Sequence, residues 1–424
     1  MLAGEVHYFR LDPGDWADRL GALRDAGCDT VATYMPWVWH EKPDRSTDLS
    51  DLVAFLDLAQ SLGLWVIARP GPYVMAELQN EGIPPRVALD TPSLVPTTWD
   101  GSPVPNATLD LLAPAFLSAV DQWYAAVMPV LAARQVDRGG PIIAVQLDNE
   151  VGMLPWVTNA PPFFTSAALP DHISYSRSTR TTFAAYLSAL RGLAERYGVT
   201  DVPFLINVHG TSDGRARTFG IGLSQLRDSY HGQPGTASGT DLYLGDLTVT
   251  NLPDLWVANA FTAATNGPDQ PLTSLEFECG SGDYADDLSV LVPPSAVELK
   301  TRLSLAQGNR LLNYYLFAGG LNPSRPAPAA VPGTSLIAIT GKRHGFAAPI
   351  DPEGRRTPGY DAIARVLRWV QPYAALIADS QPVHDDVALG LVRDHYLTEY
   401  RNPASPERGE QVADLERFRG MGPR

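Results

Sequence analysis

The sequence predicts an α/β fold class, a (β/α)8 barrel with long loops at one end and a short C-terminal extension. Three observations lead there. The chain has 424 residues and is 45% hydrophobic, enough for one large core of the barrel kind, which needs about 250 residues plus its loops. Eight short β-branched or aromatic runs alternate with longer stretches of helical periodicity, the pattern of parallel βα units. Long irregular stretches follow several of those runs, where a barrel carries its functional loops.

The predicted strands are Gly4–Phe9, Thr30–Tyr34, Trp65–Arg69, Pro141–Gln146, Pro203–Asn207, Leu255–Ala260, Leu272–Phe277 and Leu312–Phe317. Between them, apolar residues spaced i, i+3, i+4 predict helices over Trp16–Ala26, Leu49–Leu62, Phe116–Ala133, Arg180–Tyr197 and Ala296–Gln307, with an eighth over Tyr360–Ile377. Asp15 and Ser295 stand at N-cap positions, and Gly27 and Gly63 where a left-handed C-cap glycine belongs. The stretches Tyr73–Pro114, Val151–Thr179, His209–Pro253 and Asn322–Ile350 are expected as top-face loops. The barrel is expected to occupy residues 1–380. Residues 381–424 complete no recognisable unit, and their DDVALGLV reads as the opening of a further, truncated one.

A formal net charge of −15 argues against nucleic acid and anionic membrane as partners; it suits a neutral substrate. No run of about 18 apolar residues suggests a membrane span, and MLAGEVHYFR at the N-terminus carries no secretory signal. Two cysteines, Cys28 and Cys279, make no disulfide framework and are expected as free thiols. Oligomeric state is not legible.

The candidate chemistry lies in carboxylates at strand ends: Glu41, Glu77, Glu150, Glu276 and Glu278. Any one of them is ordinarily solvated or paired with an arginine. Several ending different strands, beside aromatic and amide residues, make a different case. PIIAVQLDNE delivers Asn149 and Glu150 together from strand four, and PLTSLEFECG places Glu276 on strand seven, across the lumen mouth. Alternation puts Ser274, Glu276 and Glu278 on one face of that strand and Leu275 and Phe277 on the other. Arg69, ending strand three, is a candidate cationic neighbour for Glu276. Two carboxyl groups flanking one bond, one protonated and one ionised, are what glycosidic cleavage requires. Aromatics such as Trp37, Trp39 and Tyr315 can stack on pyranose faces while amides and carboxylates take hydroxyls; taken singly, each is as well explained by packing.

These segments resemble glycoside hydrolase family 35, the β-galactosidase family. Its strand motifs G-E-x-H-Y-x-R, T-Y-x-x-W-x-x-H-E, R-P-G-P-Y-x-x-A-E, Q-x-x-N-E, E-F-x-x-G and Y-x-F-x-G-G match Gly4–Arg10, Thr33–Glu41, Arg69–Glu77, Gln146–Glu150, Glu276–Gly280 and Tyr315–Gly320 in order. The resemblance implies a retaining exo-glycosidase that releases terminal β-galactose, with Glu150 as acid/base and Glu276 as nucleophile. It implies that Tyr34, Ala76 through its backbone, Glu77, Asn149 and Tyr315 hold the sugar, and that no metal or organic cofactor takes part. Three positions depart from the family pattern: Leu78 and Ser281 where aromatics are common, and Leu321 in place of threonine. They bear on the pocket wall and leave the catalytic pair intact.

The neighbouring activity in that family, exo-β-glucosaminidase, needs an anion near the sugar 2-position, for which Glu278 or Asp283 could serve. A non-catalytic carbohydrate-binding barrel is the alternative from another class; retention of both carboxylates argues against it. A metal-dependent hydrolase finds no support, because His7, His40, His172 and His209 form no H-x-H or H-x-x-x-H ligand pair.

Overall fold

The structure is a computed structural model. It describes residues 1–98, 101–104, 108–154, 172–209, 216–249, 251–280, 292–324 and 337–381, and in the tail 383, 386 and 390–396. Eight parallel strands close into a barrel in chain order: β1 Leu2–Val6, β2 Thr30–Tyr34, β3 Trp65–Arg69, β4 Ile142–Gln146, β5 Phe204–His209, β6 Thr236–Leu242, β7 Leu272–Glu278 and β8 Asn309–Ala318. Each is followed by a helix: α1 Trp16–Ala26, α2 Ser50–Ser61, α3 Pro114–Ala132, α4 His172–Arg196, α5 Ala216–Tyr230, α6 Leu252–Thr265, α7 Pro294–Ala306 and α8 Pro358–Val370. This is a TIM-type barrel.

Helix α3 is long and apolar enough, by length and composition, to cross a membrane. Its apolar side chains instead pack on the barrel: Phe116, Val120, Trp123, Tyr124, Val127, Met128 and Leu131 are buried. Gly27 caps α1 at φ 107° and Gly63 follows α2 at φ 74°, left-handed values that a side chain would strain. Asp15 stands at its N-cap position but makes no side-chain cap bond, and Ser295 lies inside α7, which starts at Pro294. Helix α8 stops at Val370, before a separate turn Gln371–Tyr373 that contains Pro372. Both cysteines are free and buried.

Strand six is the one misplaced element. Leu255–Ala260 lies within α6, where Leu255, Ala258, Asn259, Thr262 and Thr265 are buried at helical spacing and Pro253 sits in the first turn. A short apolar run cannot by itself separate a strand from a buried helix segment. The true β6 and the helix α5 lie in the stretch expected as one loop from 209 to 253. β6 reads TASGTDL because space at the barrel wall is short. A Cβ at Gly239 would come within 2.4 Å of Leu275 and 2.6 Å of Thr273, so small residues replace the usual Val and Ile.

The lumen has an apolar floor to which every strand contributes one residue: Ala3, Ala32, Ile67, Ala144, Leu205, Ala237, Leu275 and Leu311. Side chains alternate along a strand, so residues two positions on form the next layer toward the C-terminal face. That layer is polar: Glu5, Tyr34, Arg69, Gln146, Asn207 and Asn313 are all buried. In the tail, Asp394 pairs with Arg177 and Arg180 of α4, and Arg393 with Asp228 of α5.

Candidate active site

Above the floor, Arg69 is the organising charge. Its Nη1 donates to Glu5 Oε2 at 2.9 Å, and its Nη2 donates to Glu276 Oε1 at 2.5 Å and Asn149 Oδ1 at 3.0 Å. Its guanidinium also lies 3.9 Å from the centroid of the Tyr34 ring. An ion pair this deep is kept only when its lone pairs are satisfied. On Glu276 they are: Tyr34 Oη donates to Oε1 at 2.5 Å, and Tyr243 Oη donates to Oε2. Three donors, Arg69, Tyr34 and Tyr243, therefore fix the Glu276 side chain.

Glu276 reaches this layer by a different route from the one alternation implies. Leu275 is in the lumen floor and Phe277 in the outer core, yet Glu276 also faces inward. The pairing registers of β7 with both neighbours shift around this residue. Such irregularities re-aim side chains, and here two consecutive residues face the lumen. Glu278 ends elsewhere, with Oε2 accepting from Lys300 Nζ at 3.0 Å and from the Gly245 amide at 2.6 Å.

Glu150 arrives from β4 on a tightly turned backbone, with Asp148 at φ 59° and Glu150 at φ 46°. Left-handed non-glycine residues cost about 1–3 kcal/mol each and cluster at functional sites. The turn is held by side chains: Asp148 accepts from the Asn149 amide at 2.7 Å and from Tyr186 Oη at 2.5 Å. Asn207 Oδ1 accepts from the Glu150 amide at 2.9 Å. Burial, and then the like charges of Glu276 and Glu77, push the Glu150 carboxyl well above its ordinary value. Glu150 is thus a carboxylic acid that keeps its proton beside a carboxylate that Arg69 stabilises. A raised carboxyl beside one paired to an arginine is an arrangement that can divide acid and nucleophile roles.

Glu150, Asp241 and Glu276 each present an oxygen within 4.8 Å of the others. Spacing of this kind also suits a cation. However, both oxygens of Glu276 already accept hydrogen bonds, and Arg69 supplies the positive charge. Asp241 Oδ2 accepts from Asn207 Nδ2 at 2.7 Å, while Oδ1 is buried without a partner among the described residues. Burial, then Glu276 and Glu150, raise its carboxyl as well.

Asn149 is oriented completely. Its Oδ1 accepts from Arg69, Gln146 Nε2 at 3.2 Å and Asn207 Nδ2 at 2.7 Å, so its amide NH2 is the end left for a ligand. Glu77 closes the loop Met75–Glu77, three consecutive residues at φ 51–53°. Arg10 pins that loop by donating to the Ala76 carbonyl, to Asn322 Oδ1 at 2.7 Å and to His7 Nδ1 at 2.6 Å. Glu77 Oε2 is buried with no hydrogen-bond donor among the described residues, 3.6 Å from His344 Nε2. Burial pushes Glu77 up to about 7, against the pull of Arg10, and burial lowers His344 well below its ordinary value, so the imidazole is neutral. A hydroxyl-bearing ligand would supply the donor Glu77 lacks. Glu77→Gln and Asn149→Ala are each expected to lower kcat/KM about 10- to 150-fold, the equivalent of about 1.5–3 kcal/mol for a charge-linked hydrogen bond. Denaturation midpoints measured alongside should stay near wild type; unchanged kinetics would remove either residue from the site.

Tyr315 completes the wall, its ring 6.0 Å from Tyr243 and edge-on to it. Of the other carboxylates, Glu41 accepts from Arg86 Nη2 at 2.6 Å and Nε at 2.8 Å, a structural pair. Trp37 stacks on Trp123 at 6.1 Å and is core. Leu78 is fully buried, and Ser281 and Asp283 lie outside the described residues.

Residues 1–168 match the family model described as glycosyl hydrolases family 35. Over those residues the chain is similar to this family. Among relatives, a β-1,2-glucosyltransferase of Ignavibacterium album is 24% identical across 94% of this chain and 60% of its own length. An exo-β-D-glucosaminidase of Thermococcus kodakarensis is 39% identical over 39% of this chain and 22% of its own, and a Felis catus β-galactosidase is 28% identical over 87% and 46%. The chain thus spans between about a fifth and three fifths of the relatives it matches. The β-galactosidase structure from Bacillus circulans sp. alkalophilus shares the fold, with a TM-score of 0.64 at 13% identity over 98% of this chain and 62% of that one.

Within the barrel, the structure brings together the seven residues that the resemblance implied: Tyr34, Ala76, Glu77, Asn149, Glu150, Glu276 and Tyr315. Sequence reasoning missed Glu5, Asn207, Asp241 and Tyr243. Glu5 stood in a matched motif and Asn207 at a correctly placed strand end, so both were within reach. Asp241 and Tyr243 were hidden by the misplaced sixth strand. A structureless stretch from 209 to 253 inside a compact domain was itself the warning.

Proposed function

We propose that this barrel is a retaining exo-glycosidase releasing terminal β-D-galactose from oligosaccharides or glycoconjugates. The observation that carries the reading is the pair Glu150 and Glu276, with oxygens within 4.8 Å, the first pushed up by burial and the second paired to Arg69. Retaining enzymes hold their two carboxyl groups about 5–5.5 Å apart and inverting ones about 6.5–9.5 Å apart; the short spacing supports retention. Glu276 attacks the anomeric carbon as the glycosidic bond breaks, and Glu150 gives its proton to the leaving oxygen. Water then adds to the glycosyl-enzyme, returning its proton to Glu150 and freeing Glu276. Tyr34 and Tyr243 hold the Glu276 oxygens in place, while Asn149 and Glu77 offer a donor and an acceptor to ring hydroxyls.

A second reading, exo-β-glucosaminidase, is favoured by the unpartnered Oδ1 of Asp241, an acceptor that could face an ammonium. Nitrophenyl β-galactoside and nitrophenyl β-glucosaminide assayed side by side separate the two. NMR of the first product formed should show the β-anomer; an α-anomer would refute retention. The acid role also fixes a pH sign. Glu150 must be protonated, so kcat/KM should be full below its raised value and fall as pH rises through it. Glu150→Gln should lose that alkaline limb, and a limb that survives would assign the proton donor elsewhere.

A further inference from the structure

Strand β4 leaves its ladder with β5 just before Glu150. The Val145 amide donates to the Pro203 carbonyl and the Leu147 amide to the Leu205 carbonyl, both at 3.0 Å. In a parallel ladder the next rung would join the Asn149 amide to the Asn207 carbonyl. Asn149 donates instead to Asp148 Oδ1 at 2.7 Å, and a side chain makes the rung one residue later: the Glu150 amide donates to Asn207 Oδ1 at 2.9 Å. The other end of that side chain is used too, with Nδ2 donating to Asn149 Oδ1 and to Asp241 Oδ2, both at 2.7 Å. Three contacts of this kind fix the amide's orientation, because the reversed amide would set NH2 against an N–H and oxygen against two oxygens. The support is rigid: Asn207 is 2% exposed and pairs with Gly239 of β6.

We propose that Asn207 is the positioning residue for the proton donor, its side chain replacing a ladder rung so that the Glu150 carboxyl is held at the glycosidic oxygen. The inference rests on the acid role proposed for Glu150. A backbone with left-handed residues at Asp148 and Glu150 persists only where its surroundings over-determine it. Tyr186 and the Asn149 amide hold the Asp148 end; Asn207 holds the Glu150 end. Without Asn207 the Glu150 peptide is free to relax, and a general acid works only within hydrogen-bond reach of the atom it protonates. The rest of the site keeps its supports. Asn149 Oδ1 retains Arg69 and Gln146, and Glu276 retains Arg69, Tyr34 and Tyr243. The loss therefore falls on proton transfer rather than on sugar binding or nucleophilic attack.

The test uses leaving groups that differ in their need for a proton. Dinitrophenolate departs unaided, whereas methoxide must be protonated as it leaves. The methyl and 2,4-dinitrophenyl β-glycosides of the sugar that the nitrophenyl assays identify are compared by kcat/KM on the full chain. Asn207→Ala should lower the methyl glycoside about 10- to 100-fold, a part of the roughly 100- to 10,000-fold that a positioned acid supplies. The dinitrophenyl glycoside should fall less than about threefold, because it draws on none of that contribution. In a Glu150→Ala background, Asn207→Ala should cost the methyl glycoside nothing further, the sign of two residues acting as one unit. Asn207→Leu, which leaves no cavity, takes its place if the alanine variant fails to fold. Equal losses on both substrates, no loss on the methyl glycoside, or a full further loss in the Glu150→Ala background overturn the proposal. Glu150→Ala by itself tests the reading beneath it. If that variant does not spare the dinitrophenyl glycoside, the acid role fails and the proposal falls with it; if it does spare it and Asn207→Ala does not, the positioning role fails on its own.

Discussion

Replacing Glu276 with glycine should abolish turnover, by about 10^4-fold or more, the scale seen when the nucleophile of a covalent hydrolase is removed. Azide should then restore bond cleavage and yield the α-glycosyl azide, because it enters from the side the carboxylate has left. The same exchange at Glu278 should behave differently. Lys300 is 1% exposed, and among the described residues its Nζ would lose the Glu278 carboxylate and keep the Gly245 carbonyl at 3.0 Å. A buried charge stripped of its counter-ion costs about 3–5 kcal/mol, so Glu278→Gly should lower stability while each folded molecule keeps its turnover. Glycosyl azide from Glu278→Gly, with ordinary hydrolysis surviving in Glu276→Gly, would reverse the assignment. The expectation rests on contacts: Glu276 meets Arg69 and two tyrosines, and Glu278 meets a helix lysine.

Arg69→Met should bring the second large loss, in stability and activity together. The guanidinium serves Glu5, Glu276 and Asn149 at once, and its removal leaves two buried carboxylates without a cation. About 3–5 kcal/mol of stability should go, and lysine should recover little because one ammonium cannot reproduce the fork. The loss should depend on pH. Burial already raises the Glu5 carboxyl, and Arg69 is the foremost influence holding it down, so without the arginine it rises further. An acid whose folded value lies above its unfolded value makes the native state bind more protons, and stability falls as pH rises through that window. The deficit should therefore be larger at pH 8 than at pH 5 in denaturant titrations. A loss below about 1 kcal/mol, equal at both pH values, would show that the charge network is not held by Arg69.

Both expectations come from contacts between residues far apart in the chain. Seven strands were legible because their short β-branched and aromatic runs alternate with helical periodicity. The loop-bearing face followed from where the irregular stretches begin. Glu150, Asn149 and Glu77 could be placed as site residues because each stands at or just beyond a strand end, inside a motif. The sixth strand was not legible, since packing against Leu275 and Thr273 demands Gly239 and other small residues, and these erase the usual strand signal. Leu252–Thr265 carried a strand-like run of apolar residues that only its burial at helical spacing resolves.

What the sequence by itself determined is the barrel, the face that carries the chemistry and the candidate carboxylates. These follow from local periodicity and from residue types at strand ends. Only the tertiary structure decided which carboxylate does what. Alternation put Glu276 and Glu278 on one face, and the register shift in β7 sent them to different partners. Glu5 and Asp241 joined the site because β1 and β6 reach its mouth at the same height as β3 and β7. Protonation was decided there too. Burial raises the Glu5, Glu77, Glu150 and Asp241 carboxyls, and whether an arginine or another carboxylate stands beside each is something no local stretch of sequence records.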